Sequence, residues 1–194
     1  MSVKRIQRTA TQTFGHFILP IFPNVTTAYG LPKTGYPLKT ADGDDGDLKK
    51  GLPLTGPRFV DFEDGTIYDV VTGMMWVANP DLCGPPISID GVAQEMNWED
   101  AIDACEGLDY AGHNDWRMPN INELISLFFI MESGQQIDFN FFIVYNWYYW
   151  SSTTWCGVTT AAWITEWVYG LTYVTDKETS ELLVIPVRGG RINA

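Results

Sequence analysis

The sequence predicts an α+β domain, and three observations carry that prediction. Trp98 to Glu106 and Ile121 to about Phe129 repeat apolar residues at helical spacing, while the runs around them are short, β-prone and bounded by Gly, Asp and Pro. Aromatic residues reach 14 %, with 8 Trp, beside 18 Gly and 11 Pro, a balance that favours short strands and many turns pinned by large rings. Hydrophobic residues make up 45 % and charged ones 19 % of the 194, enough apolar surface for one cored domain with an arm.

Residues 1–57 read as an extended N-terminal arm and residues 58–194 as the folded domain. The arm is rich in Pro, Gly and Thr and shows no helical period. Lys4, Arg5 and Arg8 precede an apolar stretch from Phe14 to Phe22, which resembles a signal peptide, but His16, Pro20 and Pro23 interrupt it and favour an arm that is kept. Leu31 to Gly35 spells LPKTG, a sorting-signal string, here without an apolar tail and read as a Pro–Gly turn. In DGDDGD, Asp42, Asp44, Asp45 and Asp47 alternate with Gly. The twelfth position of an EF-hand loop counted from Asp42 is Pro53 rather than Glu, so that motif fails. A solvated acidic turn is the favoured reading, with Asp42, Asp44 and Asp47 as weak calcium ligands.

The texture changes at Arg58. Asp64-Gly65 marks a hairpin turn, Thr66 to Val71 a strand, Thr72-Gly73 a second turn and Met74 to Ala78 a second strand. Asp61 and Glu63 could clasp a cation, although acids in such hairpins more often cap their own turn. Cys83 to Ala93 is loop. Asn97 then caps the first helix, whose apolar face is Trp98, Ala101, Ile102 and Cys105, and Gly107 stops it. The second helix is expected to bury Ile121, Leu124, Ile125 and Phe128. Further strands are expected at Trp147 to Ser152, Ala161 to Val168, Gly170 to Thr175 and Glu181 to Val187.

Between the helices lies GHNDWRMPNINE, Gly112 to Glu123. Gly112 and Asn114 bring turn chemistry, Asp115 a short acceptor, Trp116 an apolar anchor and Arg117 a five-donor fork. Asn120 followed by Glu123 is a helix-start signature. We expect a structural corner with Trp116 in the core, Arg117 in a buried ion pair, Asp115 tying the turn and Arg188 joining the same network.

Composition excludes several functions. The formal net charge is −12, unsuited to a nucleic-acid backbone, an anionic membrane or a sulfated glycan. No run approaches the ~18 apolar residues of a membrane span. Cys83, Cys105 and Cys156 form no CxxC, which disfavours a zinc ribbon or thioredoxin-type site, and both one disulfide plus one thiol and three thiols fit the count. The two histidines, His16 and His113, have no partner motif, and no GxSxG, HExxH or phosphate loop occurs. A non-enzymatic protein with no cofactor is expected, calcium being the one metal its acidic loops would suit.

GTIYDVVTGMMW, WEDAIDAC, HNDWRMPNINEL, YWSST, AWITEWVYG and a closing VRGG, taken in order, resemble a bacterial domain of unknown function. That family is typified by the C-terminal domain of the Legionella collagen-like adhesin. The resemblance spans roughly Arg58 to Arg188, and GDDGDLKKG looks like an extension found in some members. It implies a C-type-lectin-like fold, related to that of the sulfatase-modifying enzymes, with two short helices, short antiparallel strands and long loops. It also implies a surface or secreted binder of an extracellular ligand, a glycan or a surface protein, and a homo-oligomer, in particular a trimer, with the arm on a neighbour. The chain departs from the family pattern in two places. Met118 replaces the Leu of the usual DWRLP, and Pro186 replaces a Cys that pairs with the helix cysteine, leaving Cys83 or Cys156 as alternative partners for Cys105. The EPN and QPD strings of calcium-dependent lectins are lacking. Such folds place their ligand face in late loops, which here hold Tyr145, Trp147, Tyr148, Tyr149, Trp155 and Tyr169. The ligand site expected from this is Tyr149, Trp155, Trp147 and Tyr169 for stacking on sugar C–H faces, with Asn146 and Glu166 for hydroxyls. Two alternatives stand beside it: a structural module of a surface appendage or phage particle, and an enzyme on the related modifying-enzyme fold.

Overall fold

Met74 to Val77 are buried at all four positions, and the reason organises the fold. Side chains alternate across a strand. Met74 and Trp76 point into one apolar cluster, Met75 and Val77 into another. This strand is therefore a wall between two cores. The computed structural model describes residues 33–34, 38–51, 53, 57–128, 142, 148–167 and 170–189.

The wall strand, β3 (Met74–Val77), sits inside a four-stranded antiparallel sheet with β1 (Phe59–Asp61), β2 (Thr66–Asp69) and β9 (Val187–Gly189), in the order β1-β2-β3-β9. The turn before β2 needs Gly65: its φ is +91°, and a Cβ there would run into the Tyr110 hydroxyl. A second antiparallel sheet has the order β6-β7-β8, from β6 (Tyr148–Thr154), β7 (Ala161–Glu166) and β8 (Leu171–Asp176). The two-stranded hairpin β4 (Ser88–Ile89) and β5 (Val92–Ala93) lies in what reads as loop. The observed class is α+β, with short helices among short antiparallel strands.

The helices start where their caps say. Helix α2 (Trp98–Glu106) has Asn97 accepting from the Asp100 amide, and α3 (Ile121–Leu127) has the reciprocal Asn120–Glu123 capping box. The buried face of α3 differs from the expected one. Leu124, Ser126 and Leu127 are buried, Phe128 follows at the cap, and Ile125 is 37 % exposed. Helix α3 packs against β6 and β7, and that contact, rather than the local period, sets its roll.

Two further corrections concern chain path. The stretch from Glu181 to Val187 is not one strand: Leu182 bridges Met96, Leu183 bridges Tyr149, and Val187 bridges Arg117 before β9 pairs with β3. Its side chains still alternate between the two clusters, Leu183, Ile185 and Val187 on one side and Val184 on the other. Within residues 1–57, a four-residue helix α1 (Asp45–Leu48) occupies the acidic run read as helix-free. Residues 1–32 lie outside the described residues. Among the described residues all three cysteines are free thiols, Cys83 and Cys105 buried and Cys156 exposed.

Candidate ligand surface

The corner is a junction of three segments. Trp116 is 2 % exposed, and its indole N–H donates to the Tyr110 and His113 carbonyls at 3.2 and 3.1 Å. Arg188, arriving on β9, reaches Asp115 through Nε at 2.5 Å and Nη2 at 2.9 Å, with its guanidinium 6.0 Å from the Trp116 ring. Arg117 exchanges backbone bonds with Val187, while its side chain grips Glu123 with two bonds of 2.7 Å. The same Glu123 carboxylate accepts the Asn120 amide at 2.8 Å, so one side chain closes both the helix cap and the ion pair. The Arg117 pair is half-exposed, at 39 % and 17 %, rather than buried as expected. The buried pair is Arg58 with Asp69, at 1 % and 0 %, which sequence reading missed because Arg58 stands just before β1 and Asp69 at the end of β2, and only β1–β2 pairing brings them together.

These contacts set the local electrostatics. Its hydrogen bond to Arg188 holds the Asp115 carboxyl below the usual carboxylate range. Burial, helped by Arg188, lowers the His113 imidazole. Burial pushes the Cys83 thiol up to about 12, reinforced by the Asp81 carboxylate, and raises Cys105 further for the same main reason. Thiols so placed are held protonated, and the protonated form is a poor nucleophile.

Among the described residues, those expected to bind a ligand are not brought together. Tyr149 is 1 % exposed, with its ring centroid 4.6 Å from that of Trp167, and is a core residue. Glu166 is 5 % exposed. Both are corrected as ligand contacts, because a side chain without surface cannot stack on or grip a sugar. Trp155 is half-buried in the turn after β6 and packs over Gly157. Trp147, Tyr169 and Asn146 lie outside the described residues, as does Tyr145.

The structure exposes the neighbour instead. Tyr148, the first residue of β6, is exposed, whereas Tyr149 and Trp150 after it are buried in the two opposite clusters. Its ring meets Tyr173 of β8 edge to face, centroids 6.2 Å apart, and the two are 38 % and 43 % exposed. Leu171, at 47 % exposure, lies on the same face beside them. Trp155 is at the far end of β6, about 20 Å away at the rise of an extended strand. Alternation within YYW does not reveal this surface, because Trp150, on the same strand face as Tyr148, is 0 % exposed.

The acidic residues are committed to turns. Asp44 accepts from the Thr40 amide and hydroxyl at 2.7 Å each, the Ala41 amide at 2.9 Å and the Asp47 amide at 2.8 Å. The Thr40 bonds are the main cause of its depressed pKa. Asp42 and Asp47 share Lys39, at 2.6 and 3.1 Å, and Asp61 accepts the Glu63 amide at 2.7 Å. Among the described residues no group of three or more His, Cys, Asp or Glu side chains is placed to hold a metal ion.

A comparison with curated proteins found no match. The model of the Lcl C-terminal domain family matches residues 65–188, which run from the Gly65 turn through β2, β3, α2, α3 and the β6-β7-β8 sheet to Arg188 on β9, leaving β1 outside. The segment matched contains the whole corner, from Gly112 to Glu123, and its partner Arg188, and the chain belongs to the Lcl C-terminal domain family.

Proposed function

We propose that the domain is a non-enzymatic recognition module, located at the cell surface or outside the cell, that binds a glycan through the exposed Tyr148–Tyr173 pair. The family is adhesin-related, which supports the surface location. The observation that carries the reading is two tyrosine rings on one face of the β6-β7-β8 sheet, each more than a third exposed and set edge to face. Rings held this way lose little freedom on binding and offer a π face to sugar C–H bonds, with two hydroxyls to orient the ligand. With a net charge of −12 the favoured ligand is neutral rather than sulfated.

The test is binding of the purified protein to a broad glycan array, with and without calcium, beside the Y148A and Y173A variants. Binding to a related set of glycans, lost in both variants while their far-UV circular dichroism is unchanged, is the expected outcome. A silent array overturns the reading. One observation favours a second reading as an assembly module. Among the described residues β8 pairs only with β7, and it exposes Leu171, Tyr173 and Val174. Such an edge accepts another strand. Light scattering that falls from oligomer to monomer in Y173A, on a silent array, would make assembly the better account.

A further inference from the structure

A groove lies between α2 and the β4–β5 hairpin, far from the tyrosine pair in sequence and built from other elements. Its volume is about 410 Å³, and Ile89, Met96 and Ala104 give it an apolar floor. Glu95, Asp100 and Asp103 also line it, and among the described residues no basic side chain does. The acidity continues along the helix, where Glu99 and Glu106 are also exposed and the last turn holds no basic residue. The aliphatic surface continues along the hairpin: Ile89 and Val92 are cross-strand partners, 51 % and 60 % exposed, and Leu82 beside them is 63 % exposed. Three large aliphatic side chains this open are costly to leave in water, at roughly 25 cal/mol per Å² of apolar surface.

We infer that this groove docks a polypeptide segment of a partner protein in which Lys or Arg stands next to an aliphatic residue. The aliphatic side chain takes the floor formed by Ile89, Met96 and Ala104. The neighbouring cation meets Asp100 and Asp103, whose field is not offset by any cation in the lining. A small amine would use the carboxylates but leave Val92 and Leu82 uncovered. An acidic or purely apolar segment would be repelled or would gain nothing from the rim. The partner is thus defined by the pairing of the two chemistries.

The test is titration of the full chain, labelled with nitrogen-15, with a synthetic hexapeptide alternating Leu and Lys. Hexapeptides alternating Leu with Glu, and Gly with Lys, serve as controls. Saturable amide shifts centred on Ile89, Met96 and Ala104 are expected for the Leu–Lys peptide only. The affinity should fall about tenfold or more in D103K and in I89S, both exposed positions, and weaken several-fold as salt is raised well beyond 0.1 M. Equal binding of the Gly–Lys peptide, or shifts spread over the whole acidic surface, would reduce the effect to bulk charge attraction and overturn the proposal. Residues 1–41 carry five basic side chains and no acidic ones, so the chain's own basic segment is a competing occupant. If K4E/R5E/R8E binds the Leu–Lys peptide about tenfold more tightly than the parent, that segment fills the groove and an external partner is excluded.

Discussion

At the residue scale, the deepest electrostatic commitment is Arg58 with Asp69, joined at 2.7 and 3.1 Å with essentially no side-chain exposure. Its worth lies in the cost of breaking it. Asp69→Asn leaves a guanidinium in the core without its counter-charge, and such a loss costs about 3–5 kcal/mol. We expect a correspondingly large drop in the urea midpoint for D69N, and a much smaller one for R58M/D69L, in which both charges leave together. The Asp115–Arg188 and His113 contacts predict a pH profile. The folded pKa of His113 is depressed, so the unfolded chain takes up that proton first, and stability declines as pH falls below about 6.5. Asp115 is also depressed, so its contribution is full above about 3.9 and is lost at lower pH. Urea midpoints measured from pH 8 to pH 3 should fall in two steps. His113→Gln should remove the upper step and leave the lower, and a profile unchanged by H113Q would contradict this.

At the element scale, α3 is seven residues long and cannot persist on propensity alone. Its start is held by Asn120 and Glu123, and its body by packing on β6 and β7. Asn120→Ala removes one cap bond and should cost about 1 kcal/mol. Glu123→Ala removes the return bond to Asn120 and both Arg117 bonds, and should cost more, about 1–2 kcal/mol, the ion pair being discounted for its exposure. Thermal melts of the two variants in one buffer decide the order, and N120A as the more damaging change would show that the Arg117 pair contributes nothing. The Gly65 turn belongs to the same scale. Gly65→Ala combines a left-handed backbone with a clash on Tyr110, and should lower stability by about 2 kcal/mol or more.

At the scale of the whole molecule, two apolar clusters share walls made of β3, β6 and the stretch from Leu183 to Val187. The corner fastens these walls together. Arg117 pairs its backbone with Val187, Arg188 reaches Asp115, and the Ser152 amide donates to the Pro119 carbonyl at 2.8 Å. Losing the corner should therefore loosen both sheets at once, so W116A should unfold in a single transition at a lower midpoint and not detach one sheet first. We also propose that the protein is a homo-oligomer, with a trimer as the first candidate. Multi-angle light scattering of the full chain is the check, and a monodisperse monomer would reject it.

The local signals in the sequence were sufficient for the helix starts, the Asp64-Gly65 turn and the seating of Trp116 in the corner. Each of these depends on residues within a few positions of one another: Asn97 with Asp100, Asn120 with Glu123, Trp116 with Tyr110 and His113. What lay beyond the sequence was every feature that needs a distant segment to define inside and outside. Tyr148 and Tyr149 are chemically the same, and only the packing of Trp167 and Leu183 on one of them makes it core and leaves the other exposed. Ile125 and Leu127 are equally apolar, and the position of β6 and β7 chose between them. The Arg58–Asp69 pair waited on strand register, and the acidic groove on a hairpin folding against a helix. Short-range order is written in neighbouring side chains and backbone preference, while the surface available to a ligand is set by whichever long-range contacts remove the rest of the apolar area from water.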